Sequence, residues 1–225
     1  AILLIQLALA LGGFAIGTGE FAIMGLMPNV AADLGVSEPQ VGHVISSYAL
    51  GVVVGAPLLA ILGSRLYRRH LLLLLMSCFA IGNFASALAP DYQTLMLYRF
   101  LAGLPHGAYF GVAMLVAAAM AAPHKRAKAV SRVLMGLTIA ILIGNPLATW
   151  LGQFMSWRYA FALVGIIAIT TIAMVAIFLP GLLLMYGALP FWDGLRRRPD
   201  AQAARSSDFR LLAWTGMWRN DSMSP

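Results

Sequence analysis

The sequence predicts an all-α integral membrane protein, with six transmembrane helices arranged as two inverted three-helix repeats. Three observations carry this. The 225 residues are 61% hydrophobic and only 10% charged, with a mean hydropathy of +0.85, whereas soluble domains carry about 25% charged residues. Six segments reach the roughly 20 apolar residues that a helix needs to cross the hydrocarbon core. Finally, VGAPLLAILG (54–63) recurs as IGNPLATWLG (143–152) at a constant offset of 89.

The predicted spans are 2–27, 41–62, 71–89, 95–120, 129–154 and 159–179. Their links alternate in charge. The first, PNVAADLGVSEPQ, holds Asp33 and Glu38 and no basic residue; the second holds Arg65, Arg68 and Arg69. The third is little more than Pro90 and Asp91. The fourth holds Lys125, Arg126, Lys128 and Arg132, and the fifth only Arg158. Basic loops stay in the cytoplasm, so both termini and the even links are expected there, in a bacterial inner membrane.

The repeat preserves Gly55, Pro57, Leu58, Leu62 and Gly63 as Gly144, Pro146, Leu147, Leu151 and Gly152, and Arg69 as Arg158. Three crossings separate the copies, so the second points the opposite way through the bilayer. Secondary transporters are commonly built from such inverted repeats.

The formal charge of +7 does not indicate nucleic acid, because the basic residues fall between spans; anionic headgroups explain them better. A single cysteine, Cys78, excludes a disulfide framework and a thiolate metal cluster. HExxH, GxSxG, P-loop and GxGxxG patterns are absent, so no catalytic residue, metal ligand or organic cofactor is expected. No ATP-binding motif is present either, so any energy for transport would come from an ion gradient. The apolar start is too long for a signal peptide, and Ala1 in place of Met suggests a missing natural start. Beyond 180 the chain becomes basic and irregular. Residues 181–225 read either as a lipid-binding tail anchored by Trp192, Trp214 and Trp218, or as a disordered end or sequence foreign to the rest.

Ionisable residues inside spans are costly and hence functional candidates. Glu20 lies seven residues short of the outer end of the first span, and Arg99 four residues into the fourth. At 1.5 Å rise per residue they lie within about one helical turn of the same depth, either paired directly or facing one water-filled cavity. Such a carboxylate is a proton-coupling site, or half of a static ion pair. His106 follows Pro105 two turns beyond Arg99 and is a candidate proton relay or substrate contact. Asn83, Asn145, Tyr48 and Tyr109 either line a polar cavity or satisfy neighbouring helices. Gly103, Gly107 and Gly111 form a small-xxx-small ladder that permits close helix approach.

These residues resemble the amino-terminal half of a major facilitator superfamily transporter, in the drug:proton antiporter group that includes arabinose-efflux-like permeases. The resemblance covers roughly residues 2–180. GTGEFAIMGLMPNVAADLGVS (17–37) is similar to that group's first helix, with Glu20 at its acidic position. LYRFLAGLPHGAYFGVA (97–113) resembles the fourth-helix motif, whose arginine, here Arg99, the family implicates in proton coupling. GLTIAILIGNPLATWLGQ (136–153) resembles the fifth-helix antiporter motif, and WRYAF (157–161) the start of the sixth helix. In the loop motif Arg65, Arg68 and Arg69 fit, but Ala60, Ser64 and Tyr67 replace its usual glycines and aspartate, so the aspartate's charge clamp cannot form at Ser64. Asn145 stands where a glycine usually precedes the proline, and Ala148 and Thr149 fall in a glycine-rich stretch.

The resemblance implies proton-coupled export of a small molecule, drug or sugar, by alternating access. Family members have two six-helix halves, so the expected partners are the lipid bilayer, the substrate, and a second six-helix half or another copy of the chain. Two other readings stay open: a truncated or frame-shifted nonfunctional fragment, and a small dimeric channel or exporter.

Overall fold

The computed structural model of the chain describes residues 2–63 and 66–179. Ser64, Arg65 of the loop motif and the basic tail lie outside the described residues. All described secondary structure is helical: α1 (Ile2–Leu34), α2 (Glu38–Gly63), α3 (Arg68–Ala87), α4 (Tyr92–Ala119), a 3-10 turn (Pro123–Lys125), α5 (Arg126–Ile139), a π turn (Ala140–Gly144), α6 (Asn145–Phe154) and α7 (Trp157–Phe178). The stretch Pro123–Phe154 makes the fifth span, so six helical spans are long and apolar enough to cross a membrane.

Two elements depart from the predicted boundaries. α1 runs past Pro28 into the predicted first link. Val30 and Ala31 are the cause: they are buried in one apolar cluster with Ala87, Ala89 and Trp157, so the extra turns are held by packing. Gly35, at φ +64°, then stops the helix, a backbone conformation that a side chain disfavours. The fifth span contains a π turn just before Pro146. Proline supplies no N–H to the preceding turn, and one wider turn takes up the irregularity. α2 and α4 run through Pro57 and Pro105 without a break.

The spans pair as a two-fold arrangement requires. α2 lies along α4, α5 and α6 lie along α1, and α3 lies along α7. The first two seams are set by glycine. A side chain at Gly55 would strike the Leu104 backbone, and one at Gly103 would strike the Tyr48 carbonyl. On the other seam, Gly144 abuts Thr18 and Gly17 abuts Leu137. These contacts correspond one to one: Gly55 maps to Gly144 and Tyr48 to Leu137 through the offset of 89, while Leu104 maps to Thr18 and Gly103 to Gly17 through an offset of 86. Along that second offset α1 and α4 share Leu11/Leu97, Phe14/Phe100, Gly17/Gly103, Ala22/Ala108, Gly25/Gly111, Val30/Val116, Ala31/Ala117 and Ala32/Ala118. Of the predicted glycine ladder, Gly103 and Gly107 pack on α2, whereas Gly111 meets nothing within 4 Å.

The third seam is closed by a reciprocal pair of arginines. At the basic end of the bundle, Arg69 Nη2 donates to the Ala176 carbonyl at 3.1 Å, at the end of α7. At the opposite end, Arg158 Nη1 donates to Ala87 O at 3.2 Å, at the end of α3, and to Ala89 O at 2.6 Å. Donors and acceptors are both related by the offset of 89. Each arginine starts one helix and caps the orphan carbonyls of the other, where the helix dipole favours positive charge. Arg158 also meets Asp33 at 3.1 Å and lies over the Trp157 ring, whose Nε1 donates to the same Asp33 oxygen at 2.9 Å.

Two outcomes follow. Gly55→Val, which sets a branched side chain against the α4 backbone, is expected to cost at least about 1–3 kcal/mol and to lower the thermal midpoint in detergent, as Gly144→Val does on the mirrored seam. Asp91 caps α4 by accepting from the Thr94 N–H (2.9 Å) and hydroxyl (2.8 Å), bonds that hold its carboxyl below the usual carboxylate range. A group with a depressed folded pKa stabilises fully above its unfolded value, about 3.9, and loses that contribution as pH falls through the folded one. Asp91→Ala is therefore expected to lower the thermal midpoint at neutral pH, with the difference from the parent shrinking below about pH 4.

Candidate functional site

Buried polar side chains are few among the described residues, and only one of them, a guanidinium, is charged. Arg99, on the second turn of α4, is fully buried. Its Nη2 donates to the Gly19 carbonyl of α1 at 2.7 Å, and its Nη1 reaches Asn83 Oδ1 on α3 at 3.4 Å. The guanidinium carbon lies 4.3 Å from the centre of the Tyr48 ring on α2 and 4.9 Å from that of Phe161 on α7. Carbonyl and amide oxygens at the nitrogens, with two aromatic rings against the guanidinium carbon, form the environment that a planar delocalised cation accepts and an ammonium does not. Asn83 is held in turn by donating to Phe79 O at 2.8 Å. Glycine at 19 lets the carbonyl approach: a side chain there would crowd Val164, Phe79 and Asn83.

Glu20 does not pair with Arg99 directly. Its carboxylate, 28% exposed, lies 4.0 Å from Nδ1 of His106, which is 13% exposed. The reason is helical direction. Adjacent positions on a helix point about 100° apart, so α1 presents the Gly19 carbonyl to Arg99 and turns the Glu20 side chain toward α4 about two turns further on. The two groups share one polar centre, connected through His106 and Tyr48: the Tyr48 hydroxyl is 3.0 Å from His106 Nδ1, and its ring carries Arg99. His106 also packs against Phe110.

The remaining candidates separate from this centre. Tyr109 is fully buried and donates to Leu9 O at 2.9 Å, where it fills the space beside Gly12; it ties α4 to α1 and faces no cavity. Asn145 stands at the end of the π turn with its Oδ1 buried and unpartnered. It lines an open groove of about 580 Å³ with Phe21, Gly25, Thr149, Trp150 and Gln153. Arg69 holds α7, as above, and Arg68 opens α3. Tyr48, read from sequence as lining a polar cavity or satisfying a neighbouring helix, links His106 and Arg99 in this cluster.

The pairing of Glu20 with His106 was legible in one overlooked signal. Under the offset of 86 that relates α1 to α4, Glu20 and His106 are equivalent positions. Two equivalent residues of an inverted repeat touch only on the two-fold axis, which lies in the plane of the membrane. The carboxylate and the imidazole therefore meet at the centre of the half.

The Major Facilitator Superfamily profile matches residues 9–221. Inner membrane transport protein YdhP of Escherichia coli (strain K12) is 53% identical over 155 residues, 69% of this chain and 40% of that protein. The chloramphenicol resistance protein of Streptomyces lividans is 36% identical over 153 residues, 68% of this chain and 39% of that one. The chain thus spans about two fifths of the length of these curated relatives. Among solved structures, the proton:xylose symporter XylE superposes with a TM-score of 0.67 at 23% identity, over 78% of this chain and 44% of that one, a likeness of fold. Six membrane-spanning helices in two inverted repeats and a profile match over most of its length place this chain in the Major Facilitator Superfamily of transporters.

Proposed function

We propose that the chain works as the amino-terminal half of a proton-coupled secondary transporter that exports small molecules by alternating access. Glu20 binds the proton, Arg99 sets the field it binds in, and the substrate occupies the cavity faced by α1 and α4. A second six-helix half, or another copy of this chain, forms the opposite wall. One observation carries this reading: a partly exposed carboxylate at mid-span shares a polar centre with a fully buried arginine that, among the described residues, makes no salt bridge to a carboxylate. A static ion pair would bring the two together. Here the two Nη atoms of the arginine are held by neutral oxygens, which leaves the carboxylate able to gain and lose its proton without unseating the arginine.

Alternation of basic and acidic links supports a cytoplasmic placement of both termini, and a relative that bears the name of an inner membrane transport protein supports the bacterial inner membrane. The name of the chloramphenicol resistance protein supports a drug as the exported molecule. The chemistry needs no metal or organic cofactor, only the proton gradient, and it makes or breaks no bond in the substrate.

Proteoliposomes made acidic inside test this with labelled chloramphenicol, using the chain alone and the chain together with the carboxyl-terminal half of YdhP. Gradient-driven accumulation in either preparation, falling to the gradient-free level in Glu20→Gln, is the expected result. Accumulation that persists in Glu20→Gln would overturn the role of the carboxylate. Flux insensitive to the gradient would mark a channel, and absence of flux in both preparations a nonfunctional fragment. Arg99→Lys keeps the charge but loses the planar fork and both ring faces; slower transport and a lower thermal midpoint are expected together.

A further inference from the structure

Nδ1 of His106 has two suitors. The Tyr48 hydroxyl stands at 3.0 Å and the Glu20 carboxylate at 4.0 Å, one on α2 and the other on α1. We propose that His106 is a second proton carrier of the site, and that its Nδ1 alternates between Tyr48 and Glu20 according to whether it holds a proton. This rests on the reading of Glu20 as the proton-binding carboxylate and adds to it a partner and a switching residue.

The geometry assigns the direction of each bond. Tyr48 is buried, and His106 Nδ1 is the hydrogen-bond partner of its hydroxyl among the described residues. A buried hydroxyl left without an acceptor is costly, so the hydroxyl donates and Nδ1 receives with its lone pair. The neutral ring then carries its single proton on Nε2. When a proton arrives at Nδ1, that nitrogen becomes a donor. It can no longer accept from Tyr48, and the nearest acceptor is the carboxylate of Glu20. The ring gains one positive charge, the carboxylate keeps its negative one, and the pair becomes net neutral. Departure of the proton restores the bond to Tyr48 and leaves Glu20 as an unbalanced anion. The balance closes with one proton, taken from one side of the membrane and given to the other.

The surroundings suit such a change. Charged and titratable groups facing His106 are Glu20 from α1 and Tyr48 from α2, with Arg99 of its own helix lying against the far side of the Tyr48 ring. α3 contributes the neutral Asn83 to the cluster. The basic residues of α5 stay at the bundle end, where Arg132 bonds Gln6 at 2.8 Å. Symmetry makes the asymmetry plain. Tyr48 maps to Leu137 and Arg99 to Gly13, so the hydroxyl and the cation stand on the His106 side of the axis without counterparts on the Glu20 side. Tyr48 is a positioning residue: it holds the imidazole in one tautomer until the proton arrives.

The tautomer is measurable without any transport. The purified 225-residue chain, labelled with 15N histidine and bearing His43→Asn, His70→Asn and His124→Asn, reports His106 alone by ring-nitrogen NMR across a pH series. The expected neutral form has its proton on Nε2. In Tyr48→Phe the Nδ1–H tautomer, donating to Glu20, should grow by about five- to tenfold relative to the other, the worth of one neutral hydrogen bond. Tyr48→Phe combined with Glu20→Gln should show a smaller change. On acidification the parent should show a doubly protonated ring whose Nδ1–H signal is perturbed by Glu20→Gln. A parent ring that is Nδ1–H when neutral, or a tautomer ratio indifferent to Tyr48, overturns the switch. So does a ring that takes no second proton at any pH where the chain stays folded. Because folding is read from the same spectra and no substrate is present, failure here is distinct from failure of transport in proteoliposomes.

Discussion

A guanidinium without solvent contact inside an apolar bundle is the constraint on which the interior depends. Charge removed from water must be repaid by specific partners, and one broken partnership leaves an uncompensated cation. Arg99 draws its partners from five helices: the Gly19 carbonyl of α1, the Tyr48 ring of α2, Asn83 of α3, its own α4 and the Phe161 ring of α7. Each must arrive within a few tenths of an ångström, so the arginine fixes the rotation of each helix about its own axis as well as its distance. Glycine at 19 and at 103 then has a common purpose, since both remove a side chain where a backbone must come close.

Around that centre the frame is symmetric and the chemistry is not. Glycine contacts on two seams and arginine caps on the third repeat residue for residue across the two-fold. Such a frame presents similar surfaces to both sides of the membrane, which a half that is to be exposed alternately to each requires. The polar set breaks the symmetry at every position: Arg99 against Gly13, Tyr48 against Leu137, Glu20 against His106. The outer arginine cap likewise carries Asp33 and Trp157, whereas the position equivalent to Asp33 is Ala119. Packing is duplicated and function is not.

How much of this could be read in the chain follows from what periodicity encodes. Hydropathy reports which residues avoid water, so six spans and the link charges were plain, and the echo at 143–152 disclosed the inversion. The matching echo of α1 in α4 was hidden because the second repeat carries three more residues in its first link, which moves the offset from 89 to 86. The π turn was hidden for a similar reason: one wider turn changes no residue type. Similar depth placed Glu20 opposite Arg99, but depth is set by rise along the axis whereas contact is set by rotation about it. The same rotation took Tyr109 to the Leu9 carbonyl and away from a cavity.

A titratable pair that meets on the axis sits at the mid-plane of the frame. A residue away from that plane is nearer one membrane face, so its access to the two aqueous sides differs even in a perfectly symmetric frame. Glu20 and His106 are equidistant by construction, and whatever distinguishes inward from outward access must come from the groups that break the symmetry around them. Tyr48 is the first such group, because its hydroxyl touches the imidazole while its ring carries Arg99. A small rotation of α2 against α4, along a seam where glycines let the backbones lie close, would lengthen that bond without disturbing the hydrogen bonds of Arg99 to α1 and α3. The seam that lets the helices lie closest is thus also the one whose movement reaches the proton.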